Sequence, residues 1–145
     1  MDFFSSMRVS ASGLDAQMKR MNTISSNIAN SETTRTAEGG PYRRQDPVFR
    51  AAIDAESFDD VMKSQMDQAI QGVEVEGVQQ DVRAPRMVYE PSHPDANAEG
   101  YVAKPNVNPV EEMSNMISTQ RSYEANVNAL GAAKAMAQKA LEIGR

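Results

Sequence analysis

The stretch FSSMRVSASGLDAQMKRMNTISSNI, residues 4–28, decides how this chain folds. Its apolar residues return at alternating intervals of three and four: Phe4, Met7, Ala11, Leu14, Met18, Met21 and Ile28, with Ser25 the one polar residue in the series. Ser10, Asp15, Lys19, Arg20 and Asn22 fall off that line. Such spacing draws a narrow apolar stripe along one side of an α-helix and predicts burial against another helix. At ~1.5 Å per residue the helix is about 40 Å long. The polar run Asn30-Ser31-Glu32-Thr33-Thr34 ends it.

The end of the chain repeats the pattern. Asn108 suits a helix cap, Pro109 the first helical position and Glu111 the third, and Glu111 and Glu112 together complement the helix dipole. From there Met113, Met116, Tyr123, Val127, Leu130, Ala137 and Leu141 keep the three–four spacing, interrupted by Gln120 and Lys134. Polar interruptions of this kind set register and partner choice at some cost in stability. Beyond Ala129, alanines 132, 133, 135, 137 and 140 and Met136 put small apolar groups on every side. A helix apolar nearly all round needs cover nearly all round, either from the middle of the chain or from neighbouring molecules.

Between these zones the chain is irregular. Gly39-Gly40-Pro41 predicts a turn, and Tyr42 to Arg50 a short strand that Pro47 confines to a sheet edge. Phe58, Val61, Met62, Gln65, Ala69 and Ile70 stand at helical spacing and predict a short helix over 55–71. Val73-Glu74-Val75-Glu76 alternates strictly, and Val78, Val82 and Arg86-Met87-Val88-Tyr89 read as extended. The expected fold is therefore mainly α with a small β connector. Residues 1–32 and 109–145 form long helices paired as a coiled coil, and residues 33–108 form a loop and β-rich segment projecting from them.

Composition limits the chemistry. With 145 residues, aromatics at 6% and no Trp, the chain leans on ten methionines and on alanine for apolar contact, which suits adaptable helix packing. A net charge of −5 without a basic patch speaks against nucleic-acid binding. The absence of cysteine excludes disulfides, thiol catalysis and ordinary zinc fingers. The first residues lack the features of a cleavable signal peptide, and no apolar run approaches the ~20 residues that span a bilayer. The one histidine, His93, sits between Ser92 and Pro94 and reads as a loop residue rather than a metal ligand or a base working with Asp95. Asp59-Asp60 and Glu74/Glu76 are the visible acid clusters; neighbouring acids on a helix diverge, and alternating acids on a strand mark its wet side. No catalytic residue, cofactor or metal is expected.

Two helices with matching stripes also describe a plain antiparallel hairpin with no further assembly. Against that, two helices in so small a chain make a thin core, and slender domains need outside support.

One resemblance sharpens the reading. Ser25-Ser26-Asn27-Ile28-Ala29-Asn30-Ser31-Glu32-Thr33-Thr34 resembles the N-terminal motif shared by flagellar rod and hook proteins. Gly39-Gly40-Pro41-Tyr42-Arg43-Arg44, Val88-Tyr89-Glu90-Pro91, His93-Pro94-Asp95-Ala96-Asn97, Glu99-Gly100-Tyr101-Val102 and Pro105-Asn106-Val107-Asn108 resemble the branch that builds the proximal rod. So do Glu111-Glu112-Met113 and Arg121-Ser122-Tyr123-Glu124-Ala125-Asn126-Val127, all in the same order. The segment 54–70 matches none of these motifs and reads as an insertion.

The resemblance implies a subunit of the bacterial flagellar basal body, in the rod that crosses the periplasm, exported through the flagellar type III channel without a cleavable signal. It implies a tube of terminal helices that encloses the export channel and carries torque. The implied partners are copies of the chain and other rod subunits, with the MS ring and export gate as further neighbours. Asn27 and Asn30 join the stripe residues as expected assembly contacts. Other readings are a different rod or hook subunit, a helical-hairpin adaptor or secreted effector, and, more remotely, a small hydrolase using paired carboxylates.

Overall fold

The computed structural model describes residues 3–52 and 72–143. Helix α1 spans Phe3–Ala29; strands β1 (Gln45–Ala52), β2 (Gly72–Gln80), β3 (Arg86–Tyr89) and β4 (Tyr101–Lys104) follow, and helix α2 spans Pro109–Ile143. The protein is thus mainly α, with two small β hairpins between its terminal helices. The helix expected over 55–71, with Phe58 and the Asp59-Asp60 pair, lies outside the described residues.

Local chemistry explains the boundaries. At the end of α1, Asn30 Nδ2 donates to the Ser26 carbonyl (2.9 Å) and Ser31 Oγ to that of Ile28 (2.8 Å), so side chains satisfy carbonyls that the helix has stopped using. The loop that follows is closed by the Tyr42 amide on the Thr33 carbonyl (3.0 Å) and the Thr36 amide on that of Gly40 (2.9 Å). Gly39 and Gly40 turn it at φ of 88° and 79°, where a side chain is strained. At the start of α2, Asn108 Oδ1 accepts the Val110 amide (3.1 Å) and Pro109 opens the first turn, as the sequence predicts.

Strands β1 and β2 pair antiparallel from Gln45 opposite Gln80 to Ala52 opposite Gly72. The register shifts between Val48 and Phe49, leaving Glu76 as an extra residue that bends β2. A two-stranded sheet has only edge strands, which accommodates Pro47; the strand begins at Gln45 rather than Tyr42, because the Tyr42 amide is already spent on the preceding loop. This hairpin leans on α1, where Ser12 Oγ accepts the Val73 amide (3.1 Å), and a Cβ at Gly72 would come within 2.8 Å of that oxygen. Strands β3 and β4 form a second antiparallel pair, closed by the rings of Tyr89 and Tyr101 meeting edge to face at 5.3 Å.

Helices α1 and α2 lie side by side and antiparallel. Gly13 faces Asn126, and fourteen residues further along α1 Asn27 meets Glu112, fourteen residues back along α2. Gly13 is small because a Cβ there would reach the Asn126 side chain at 3.2 Å.

The core is thin. Among the described residues the buried apolar side chains are Ala16, Ile24, Val102 and Val107. The chain exposes 10460 Å², against about 7300 Å² for a compact protein of 15.9 kDa. That excess goes with so small a core.

Candidate functional site

A knot of polar side chains joins the end of α1, the start of β1 and the first turn of α2. Asn27 is 0% exposed. Its Nδ2 donates to the Gln45 carbonyl (2.8 Å), and its Oδ1 accepts both the Gln45 amide (2.9 Å) and the Tyr42 hydroxyl (3.0 Å). The asparagine thus acts on Gln45 as a neighbouring strand would. A longer contact, 3.4 Å, runs from Nδ2 to Glu112 Oε2. Glu112, 1% exposed, takes its strong bond from Arg44 Nε at 2.8 Å, and Arg44 also reaches Asp46 at 3.0 Å. Burial disfavours the charged guanidinium, but the bonds to Glu112 and Asp46 outweigh it and hold Arg44 protonated above its ordinary range.

A second set of ties holds the β3–β4 hairpin to the loop after α1. Asp95 accepts Thr34 Oγ1 (2.8 Å) and pairs with Arg35 (2.7 Å), while Lys104 Nζ pairs with Glu32 (3.1 Å) and Glu90 (2.8 Å). The hydrogen bond to Lys104 holds the Glu90 carboxyl below the usual carboxylate range, and the bonds to Glu90 and then Glu32 raise the Lys104 ammonium. His93 belongs to this region as a loop residue, its Nδ1 accepting the Asp95 amide at 3.1 Å. Glu74 and Glu76 are exposed and face Arg50, with Arg50 Nε to Glu74 Oε1 at 2.9 Å. A hollow of about 460 Å³ beside the 36–43 loop holds a single carboxylate, Glu38. Among the described residues no three His, Asp or Glu side chains stand together as a metal site requires.

The stripe residues have a different arrangement from the one expected. The helices do pack on each other, but the faces in contact carry Gly13, Ala16, Thr23 and Asn27 from α1 and Glu112, Thr119, Asn126 and Ala133 from α2. Met116, Tyr123, Leu130 and Ala137 of the α2 stripe are half-buried in the same phase, within about 40° of Glu112 or Asn126, so that side of α2 joins apolar side chains to small and polar ones.

A helix turns about 100° per residue. On α1, with Gly13 and Asn27 directed at α2, Ser12 points to one side and meets the β1–β2 hairpin, while Leu14 and Met21 point to the other. Rotation runs the opposite way in an antiparallel neighbour, so Met113, Gln120 and Val127 of α2 point to that same other side. Leu14 and Met21 of the α1 stripe and Met113, Gln120 and Val127 of the α2 stripe therefore share one face of the two-helix layer, opposite the β1–β2 hairpin.

On that face, Met18 is 47% exposed, Met113 54% and Val127 44%. Met7, Leu14, Met21 and Ile28 are half-buried along its inner margin, Met116, Tyr123, Leu130 and Ala137 are half-buried on the side of α2 turned to α1, and Ala11 and Leu141 are exposed. Gln120, one of the two polar breaks in the α2 stripe, donates to Glu124 (3.1 Å), and Lys134, the other, is exposed. Phe4 lies within α1. Asn30 is half-buried at the helix end, whereas Asn27, with its donors and acceptors spent inside the chain, belongs to the core and not to the surface.

Residues 7–35 match the family model described as flagella basal body rod protein, and residues 98–143 that described as flagellar basal body rod FlgEFG protein C-terminal. Over 152 aligned positions, spanning the whole of both chains, the protein is 48% identical to the flagellar basal-body rod protein FlgC of Bacillus subtilis (strain 168). The chain belongs to the FlgC family of flagellar basal-body rod proteins. It is also 42% identical to the FlgC of Borreliella burgdorferi, over 99% of this chain and 98% of that one. The FlgC of Salmonella typhimurium (strain LT2) is 39% identical, over 94% of each chain.

The segments that carried the resemblance to this family are those that tie the molecule together. Ser26, Asn27, Asn30, Thr33 and Thr34 come from the first, Tyr42 and Arg44 from the second, and Asp95 from the fourth; all make the bonds described above. Sequence reasoning missed Glu112 as a buried partner. The signal that finds it is the Asn108 cap, which sets the phase of the first turn of α2, taken with the Arg43-Arg44 pair.

Proposed function

We propose that this FlgC-family chain works mechanically, as a non-enzymatic rod subunit whose terminal helices polymerise with copies of itself and with other rod subunits. In this reading the helix layer, paired in coiled-coil fashion, lines a helical tube around the export channel. The hairpins of residues 33–108 face outward, and torque crosses the periplasm through the packed helices. Heterologous contacts that repeat without closing generate such a tube. The MS ring and the export gate are the neighbours at its base, and the chain reaches it through the flagellar export apparatus. No helix among the described residues is long and apolar enough to cross a membrane.

The observation that carries this reading is the open apolar face shared by α1 and α2, on a chain with so small a core of its own. An adaptor that binds one partner, or a secreted effector, has no need of apolar side chains along the whole length of both helices. The test is Met113→Asp in the native genetic background. Met113 is exposed in the single chain, so the fold survives; a charge buried between subunits costs several kcal/mol. The variant should still be exported, yet be missing from isolated basal bodies, and cells should lose swimming in soft agar. Normal swimming with normal basal bodies refutes the assignment of this face.

A further inference from the structure

Building on the rod-subunit reading, we infer that the β hairpins join between neighbouring copies. The outer edge of β2 in one copy takes the outer edge of β3 in the next, and the two hairpins become one sheet of order β1-β2-β3-β4 shared by two chains. Each hairpin is a two-stranded sheet, so each strand has an outer edge, where backbone N–H and C=O groups face away from the partner strand at every second residue.

Two of these edges are closed from within the chain. On β1 the outward amide and carbonyl of Gln45 both go to Asn27, and Pro47, two residues on, has no N–H to offer. On β4 the outward amide of Tyr101 goes to Asn97 Oδ1 (2.9 Å), and its carbonyl takes the Asn97 amide (2.9 Å).

The other two edges are open. Gln45 spends both its groups on Asn27, so Gln80 opposite it turns its own amide and carbonyl outward, and so does Val78, opposite Pro47. The Val73 amide, on Ser12, marks the same outer edge beyond the bulge. On β3 the Glu90 amide points into its hairpin, to the Gly100 carbonyl, so Met87 and Tyr89 point out of it. Among the described residues Val78, Gln80, Met87 and Tyr89 have no backbone partner on that outer side.

An open strand edge is completed by another extended strand, and these two edges fit each other. Each offers a pair of outward residues two positions apart. Run antiparallel, Val78 falls opposite Tyr89 and Gln80 opposite Met87, which forms about four backbone hydrogen bonds. One position further, Asp81 falls opposite Arg86, an exposed guanidinium without an ion pair among the described residues. Val78, Met87 and Tyr89 are 54%, 52% and 63% exposed in the single chain, and the pairing sets them side by side. Within one chain β2 and β3 belong to separate sheets, so the match is made between copies. The two edges differ, so a copy that gives β2 to one neighbour keeps β3 for another, and the contact repeats without closing.

The chain has no cysteine of its own, so introduced ones report alone. Across a hydrogen-bonded antiparallel pair the Cα atoms stand ~5.5 Å apart, within reach of a disulfide. Cells that make Val78→Cys and Tyr89→Cys copies together should give a linked dimer of the chain when isolated basal bodies are oxidised, and either variant alone should give none. Gln80→Cys with Met87→Cys reads the neighbouring pair in the same way. Adding Met87→Pro to the Tyr89→Cys copy removes one outward N–H where an edge strand tolerates proline, and should cut the linked product about tenfold. Met87→Ala, which keeps that N–H, should preserve most of it. Immunoblotting confirms that the variant chains are in the basal bodies.

Basal bodies that hold these chains yet give no linked product from either pair overturn the inference. So does a dimer from one variant alone, which means that like edges meet, or a yield indifferent to Met87→Pro, which means nearness without strand pairing. Each of these results leaves the rod-subunit reading standing, since Met113→Asp tests that separately in cells.

Discussion

Replacing Asn27 by alanine removes the centre of the knot, and its cost can be built from the distances. Three good bonds go: to the Gln45 carbonyl at 2.8 Å, from the Gln45 amide at 2.9 Å and from the Tyr42 hydroxyl at 3.0 Å. At ~1 kcal/mol net each, the loss is about 3 kcal/mol, and the peptide groups of Gln45, left inside without partners, push it upward. The 3.4 Å contact to Glu112 is too long to add much. Against a total stability of ~5–15 kcal/mol for a small domain, that is a large fraction.

Urea titration followed by far-UV circular dichroism reads the effect. With a slope of ~1–3 kcal/mol per molar, the midpoint should fall by about 1–3 M. Hydrogen exchange at the Gln45 amide should accelerate in parallel. A loss below ~1 kcal/mol would mean that the knot is decoration and that packing alone seats the connector. Asn27→Asp sharpens the test, since it keeps the acceptor but loses the donor and sets a second carboxylate beside Glu112, with Arg44 as the charge that must serve both. It should be at least as unstable as the alanine variant at neutral pH, and the gap should narrow as pH falls through the carboxylate range. An aspartate variant as stable as the parent at pH 7 would sink this account of the knot.

Two further outcomes follow from the geometry. Gly100 sits at φ 82°, and a Cβ there would stand 2.9 Å from the Tyr89 ring, so Gly100→Ala should cost about 1–3 kcal/mol in urea titration; Gly131→Ala, with nothing within 4 Å on a helix, should instead stabilise by up to ~1 kcal/mol. The Lys104–Glu90 pair predicts a pH plateau. Glu90 is held below its ordinary 4.5, so its contribution is present above that value and is lost as pH falls through the depressed one; Lys104 is held above 10.5, so its contribution is present below that value and lost as pH rises through the raised one. Lys104→Gln should flatten both limbs of the melting temperature against pH, and unchanged limbs would remove the pair from the stability of the β3–β4 hairpin.

Much of the architecture is legible in residue order alone. The three–four spacing from Met7 to Ile28, the Asn108-Pro109 start, the Gly39-Gly40-Pro41 turn and the alternation after Gly72 each report a local backbone preference, and local preferences survive folding. What stayed hidden is direction. A stripe says which side of a helix is apolar, not which neighbour that side meets; here α2 took the side of α1 next to its stripe, while Met116, Tyr123, Leu130 and Ala137 of α2 turned inward. Thr23, Asn27, Glu112, Thr119 and Asn126 leave no mark in an apolar pattern. Asn27 and Glu112 are buried because partners distant along the chain, Gln45 and Arg44, complete their bonds, whereas Thr23 and Thr119 turn their hydroxyls back onto the carbonyls of Lys19 and Asn115. The motif around Asn27 pointed to the right residues for the wrong surface.

The β1–β2 hairpin rests on α1, and among the described residues it shares no packing with α2. Besides the backbone that runs on through β3 and β4, a sideways push on the hairpin reaches α2 through the body of α1 and through Arg44 and Glu112 at the far end of the knot. Near that end the two routes converge on a few buried atoms. The hairpin is thus a lever with one fixed end, and how far it swings under load is decided less by its own strands than by whether that joint holds.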